Sequence, residues 1–353
     1  MKTYNLGLVL DGGGGKGAYQ IGVWKAMREF GLDTQVKAIA GTSVGGLNAA
    51  LFVQGDFDLA YRIWAEEIRR IHGMEMQKNL SELIDDYIDY SKIMESPIDC
   101  FLATYCPFQT GEYLNCNNDR NIPESLVHGE MTYYNLRMIS QKECRILFQT
   151  CTTPKAVMLA TSALPVLCRT VWMNGRPHRD GGLKDNTPVY PLAFGSDCDT
   201  VLAIRLSQIE GVDTSQFPHT SVLEIVPNVD SRELSLLNGT LNFDPAHAKR
   251  LIEAGYRDSR ALFEGVLQNR RIADAEVAAN RRKAELVQQE AEMRSELRSA
   301  YAAYYAQRRS LAQKKENCHL SGDLFPDELC YTKYDEHQKQ VYSEHLERMG
   351  SYE

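Results

Sequence analysis

The sequence predicts an α/β fold: a mainly parallel central sheet flanked by helices in three layers, followed by an α-helical C-terminal extension. Three observations predict it. Apolar strand-like runs alternate with helical patterns from the first residues, glycine clusters sit where the first two strands meet helices, and the composition changes at Pro245 to a long segment almost free of Gly and Pro.

"YNLGLVL" (4 to 10) reads as a short apolar strand, and "AYQIGVWKAMREFG" (18 to 31) carries Ile21, Trp24, Ala26, Met27 and Phe30 near helical spacing before Gly31 ends it. "VKAIAG" (36 to 41) is a second strand and "VGGLNAALFVQG" (44 to 55) a second helix. This β-α-β-α order predicts parallel pairing. Residues 56 to 145 combine helical stretches with an irregular region rich in Cys, Tyr, Asn and Pro, and read as an insertion forming a cap or lid. "CRILFQTCTT" (144 to 153) resumes a strand pattern, "PKAVMLATSALPVL" suggests a helix closing at Pro165, and "TVLAIRLS" (200 to 207) and "SVLEIVP" (221 to 227) are further strands. From Asp244-Pro245 a helix begins. Its continuation places Leu286, Met293, Leu297, Ala300, Tyr304 and Leu311 on a helical stripe, which fits packing on the same chain, a short helical hairpin, or a dimerising coil.

The formal net charge of −8 argues against nucleic acid as a partner. Nine cysteines, odd in number and never in a CxxC pair, favour reduced thiols over a disulfide framework or a zinc site, so no metal is expected. His319 beside Cys318 lacks a second ligand pair. No run approaches a membrane span, and the N-terminus lacks the apolar region of a secretory signal. A cytoplasmic protein is expected.

The segment "DGGGGKGAYQIGV" (11 to 23) fits three chemistries. A P-loop would need Gly at position 10 and Ser or Thr at 17, where Leu10 and Gly17 stand. The dinucleotide fingerprint is met by Gly12, Gly14 and Gly17, but the second strand ends without the acidic residue that would bind a ribose. That strand ends instead in Gly41-Thr42-Ser43-Val44-Gly45, a G-x-S-x-G at a strand-to-helix turn, the context of a nucleophile elbow. A serine nucleophile needs an oxyanion site and a base. Backbone N–H groups of Gly12, Gly13, Gly14 and Gly15 can converge on one oxygen. For the base, "HRDGGLKDNTPV" (178 to 189) offers Asp180 before Gly181 and Gly182, with His178 as a candidate third member of a triad and an ordinary Asp-Gly surface turn as the plain alternative.

The set D-G-G-G-x-K-G (Asp11 to Gly17), G-x-S-x-G (Gly41 to Gly45) and D-G-G (Asp180 to Gly182), in this order, resembles the patatin-like phospholipase family. The resemblance covers about residues 4 to 262 and implies a catalytic domain over 1–262, leaving a helical extension over 263–316 and a polar tail over 317–353. It implies a Ser43–Asp180 dyad acting through an acyl-enzyme, an oxyanion held by the glycine loop, no cofactor, and acyl esters of membrane phospholipids as substrates, met peripherally. Lys16 then either favours an anionic head group or orients the loop, and Asp185 and Asn186 organise the turn behind the D-G-G. The family also includes effectors of anti-phage signalling, so a regulated intracellular lipase, switched by a small molecule such as a cyclic nucleotide or by self-association through the C-terminal helices, is a further expectation. A catalytically silent binding module on the same scaffold is the alternative.

Overall fold

The structure, a computed structural model, describes residues 5–71, 75–115, 124–139, 145–146, 149–150, 152–196, 198–208 and 211–321. The polar tail beyond Ser321 therefore lies outside the described residues. The opening alternation is β1 (Leu6–Leu10), α1 (Ala18–Glu29), β2 (Val36–Thr42) and α2 (Val44–Gln54). Between α2 and the next strand lie α3 (Phe57–Arg62), which runs into a π turn over Ile63–Glu67, then α4 (Met76–Tyr87) and α5 (Tyr90–Glu95).

The strand that follows, β3 (Asp99–Tyr105), corrects the reading of this region as a lid. It pairs in parallel with β2 and stands in the middle of the sheet, and β4 (Glu112–Asn115), β5 (Ser125–His128) and β6 (Met131–Asn135) extend the sheet as an antiparallel meander. Cys100, Phe101, Leu102 and Ala103 are all buried, so β3 lacks the apolar and polar alternation that marks a half-exposed strand. Within the expected strand over 144 to 153, the described residues include β7 (Arg145–Ile146) and β8 (Gln149–Thr150), which pair only with each other among the described residues. Next come α6 (Pro154–Thr161), which stops before Pro165, β9 (Val171–Met173), β10 (Arg176–Asp180), α7 (Tyr190–Gly195), β11 (Thr200–Ile204), β12 (Ser221–Ile225) and α8 (Pro245–Ser321).

The sheet order is β12-β11-β1-β2-β3-β6-β5-β4, parallel from β12 to β3. Both faces are covered. Leu8, Leu10, Ile39, Leu102 and Ile204 point into one core with α1 and α2, while Val9, Ala40, Phe101 and Ala203 point into a second core with Leu192 of α7. The first turns of α8 belong to the larger core through Leu251 and Ile252. There α1 and α8 touch backbone to backbone: a Cβ on Gly22 would overlap the Ile252 carbonyl, and one on Gly255 the Tyr19 carbonyl.

The chain divides into two compact units, 1–269 and 270–353. Among the described residues the extension is a single helix, α8 continuing without a break to Ser321; Leu286, Met293, Leu297 and Leu311 on the expected stripe are exposed.

Candidate active site

Ser43 stands where β2 turns into α2, with φ 54° and ψ −126°, a backbone conformation that side-chain-bearing residues rarely adopt. Packing enforces it. The Ser43 N–H donates to Thr161 Oγ1 at 2.9 Å, and that hydroxyl donates to the Ala103 carbonyl at 2.6 Å. The helix begins so close to β1 that a Cβ on Gly45 would overlap the Leu10 carbonyl and lie 2.6 Å from that of Asp11. One on Gly41 would overlap the Gly45 carbonyl.

Strand register brings Asp180 to this turn. β2 leaves the sheet after the pair Thr42↔Ala103, and the next residue of β3, Thr104, pairs instead with Asp180 of β10, which occupies the position that β2 vacates. Asp180 is 2% exposed; its Oδ1 accepts the Gly182 N–H at 2.8 Å, and its Oδ2 is buried with no hydrogen-bond partner. Burial pushes its carboxyl up to about 6, against opposing pulls from the nearby Ser43 hydroxyl and the Gly182 N–H. A Cβ on Gly181 would crowd the Ala103 carbonyl, and one on Gly182 would lie 2.8 Å from Asn186 Oδ1.

The glycine loop meets the same place, and its bare backbone serves close packing. A Cβ on Gly12 would lie 2.6 Å from Asn186 Oδ1 and 3.1 Å from Ser43 Cβ. Gly13 faces Leu206, Gly17 faces Val44 and Trp64, and Gly14 (φ 57°) and Gly15 lie directly on the carbonyls of Thr240 and Asn242. Asn186 Nδ2 donates to the Gly12 carbonyl at 3.2 Å, tying the first motif to the third. Lys16 is half-buried; burial lowers its pKa, opposed by attraction to Asp11.

Residues that no motif marked hold these pieces together. Asn48 donates to the Gly17 carbonyl at 3.0 Å and to Gln20 Oε1 at 2.8 Å, and accepts from Trp64 Nε1 at 2.8 Å. Asp11, fully buried, accepts from Arg205 Nε at 3.1 Å and from the Leu206 N–H at 3.2 Å, anchoring the loop to the end of β11. The signal was present: an Asn inside an apolar helix and an Arg ending an apolar strand each require a buried partner.

His178 is engaged elsewhere. The Thr104 hydroxyl donates to the Thr132 carbonyl, so it accepts from His178 Nδ1 at 3.1 Å, while the Tyr134 hydroxyl lies 3.5 Å from Nε2. Burial, aided by the charge of Arg176, lowers its pKa to about 4. The unfolded chain therefore takes up this proton near pH 6.5 and the folded one near 4. The stabilisation from neutral His178 is fully present above pH 6.5 and is lost as pH falls toward 4, about 3 kcal/mol over that window. Urea unfolding at pH 7 and pH 5 should show a smaller loss for His178→Gln than for the parent chain; equal losses would remove His178 from the acid response.

Ser43 and Gly14 also line an apolar cavity whose walls include Leu47 and Leu51 of α2, Trp64 of the π turn and Leu83 of α4. Among the described residues, no group of three or more His, Cys, Asp or Glu side chains is placed to hold a metal ion, and Cys100, Cys106, Cys168 and Cys198 form no disulfide. No described helix is long and apolar enough to cross a membrane.

A doubly covered α/β sheet that presents a serine on a strained strand-to-helix turn, next to a buried carboxylate, defines the structural class. Within it, the chain belongs to the patatin-like phospholipase family, whose family model matches residues 8–193. A lysophospholipase NTE1 of Cryptococcus neoformans is 28% identical over 190 residues, 53% of this chain and 10% of that protein. An NTE family protein of Mycobacterium tuberculosis is 25% identical over 203 residues, 58% of this chain and 49% of the relative. The chain thus spans about half, or far less, of the lengths of these relatives. Among solved structures, human GIVD cytosolic phospholipase A2 aligns with a TM-score of 0.43 at 12% identity, covering 77% of this chain and 59% of the other. VipD from Legionella pneumophila aligns at 0.40 and 12%, covering 75% and 67%.

Proposed function

We infer that the protein is a lipid acyl hydrolase of phospholipase A type. The observation that carries this reading is the position of Ser43, a strained serine on the wall of an apolar cavity, beside a buried carboxylate with one oxygen left without a hydrogen-bond partner. A polar or charged substrate gains little from such walls, whereas a fatty-acyl chain gains with each buried methylene. In this reading Ser43 Oγ attacks the ester carbonyl and Asp180 accepts its proton. Backbone N–H groups of the Gly12–Gly15 turn, together with the N-terminus of α2, stabilise the oxyanion. The protonated Asp180 then supplies a proton to the leaving alcohol, and, ionised again, it activates the water that hydrolyses the acyl-enzyme. Family membership supports the substrate class.

The test is release of fatty acid from monoacyl and diacyl phospholipid vesicles, with labelling by a fluorophosphonate in parallel. Release together with labelling, both lost in Ser43→Ala, is expected. A purified, folded chain that neither labels nor releases fatty acid would overturn the reading in favour of a binding module.

A further inference from the structure

The apolar cavity is walled in part by α2. Val44, Leu47 and Leu51 line it from one face of α2, so the cavity follows that helix away from Ser43. At the other end of α2, the Gln54 side chain grips the junction between α4 and α5: its Nε2 donates to the Tyr87 carbonyl at 3.2 Å, and its Oε1 accepts the Asp89 N–H at 2.9 Å. The residues so held, Tyr87 and Ile88, line the cavity on their inner side. Both are half-buried, and both also line a shallow surface pocket with Asp86 and Asp89. One layer of side chains thus separates the apolar cavity from water and two carboxylates.

We propose that Tyr87 and Ile88 form the floor of the acyl channel and set the longest chain it accepts, with α2 as the ruler between nucleophile and floor. This rests on the acyl-hydrolase reading. The 11 residues of α2 span about 16 Å at 1.5 Å per residue. An extended hydrocarbon with C–C bonds of ~1.5 Å advances roughly 1.25 Å per carbon, so the channel takes about 12 to 14 carbons. Each methylene that enters improves binding by up to roughly fourfold. Beyond the floor the gain stops, because the next carbons must bend back or displace the plug into an acidic, hydrated pocket.

The experiment is kcat/KM for monomeric p-nitrophenyl esters from C4 to C18. For the parent chain, the expected result is a steep rise that breaks near C12 to C14. In Tyr87→Ala and Ile88→Ala the break should move to longer chains, raising the C18-to-C10 ratio at least about tenfold, the order expected of two or more newly admitted methylenes. Leu51→Phe, which fills the channel midway, should move it to shorter ones. A rise that continues unbroken to C18 in the parent chain, or a break that stays in place in folded Tyr87→Ala and Ile88→Ala, would overturn the proposal. Thermal stabilisation by saturated fatty acids of the same lengths reads the channel without chemistry. A break there at the same length, with no ester cleaved, retains the floor and overturns the hydrolase reading; stabilisation without a break overturns the floor.

Discussion

Asp180→Asn should lower kcat/KM for ester hydrolysis by about a thousandfold, within the range that a positioned general base contributes, and at the same time raise stability. The amide keeps the size of the side chain and an oxygen to accept the Gly182 N–H but cannot take a proton from Ser43. Stability moves the other way because the carboxyl is buried. Its folded pKa, about 6, stands above the ordinary 3.8. Its contribution to stability is therefore fully present below about pH 3.8 and lost as pH rises through 6, so above pH 6 the ionised group costs up to about 3 kcal/mol. The variant should unfold at higher urea than the parent at pH 8, with little difference at pH 4. The parent's kcat/KM should fall as pH drops through about 6, because only ionised Asp180 accepts a proton. Hydrolysis by Asp180→Asn within a few-fold of the parent would remove Asp180 from the chemistry.

Gly45→Ala should cost more than about 4 kcal/mol and leave little folded protein. The added methyl has no room: it overlaps the Leu10 carbonyl and comes within 2.6 Å of the Asp11 carbonyl, both parts of the rigid β1 terminus, and overlap with backbone has no rotamer to relieve it. Gly55, at the other end of the same helix, provides the contrast. Its φ is +80° and nothing lies within 4 Å of an added Cβ, so Gly55→Ala should cost only the 1 to 2 kcal/mol or so of a left-handed residue. Chemical denaturation of the two variants separates a glycine required by space from one required by φ; equal costs would show that the contact at β1 relaxes.

β1 and β2 were legible because they are largely buried on both faces, read as apolar runs, and end in glycines that the following helix needs. β3 was not. Its run is short, Cys and Tyr flank it, and its antiparallel partner β6 is about thirty residues away, so no local turn announces the pair. The segment expected as a lid supplies four strands of the sheet and the helical wall of the cavity. Ser43 and the glycine motifs could be picked out because each imposes a local backbone demand. Thr161 imposed no such demand, and Asn48 and Arg205 signalled only that a buried partner was needed, not which one, since their partners come from distant segments.

By itself the sequence determined the alternation of elements, the sharp turn at Ser43 and the absence of side chains where backbones must touch. These depend on residues adjacent in the chain. Only the tertiary structure decided that Asp180, and not His178, faces that turn, that Tyr87 and Ile88 line the same cavity as Ser43, and that Gly14 and Gly15 receive the Thr240 and Asn242 carbonyls. Strand register, helix length and burial set these placements, and each joins residues too far apart in the chain for local pattern to reveal.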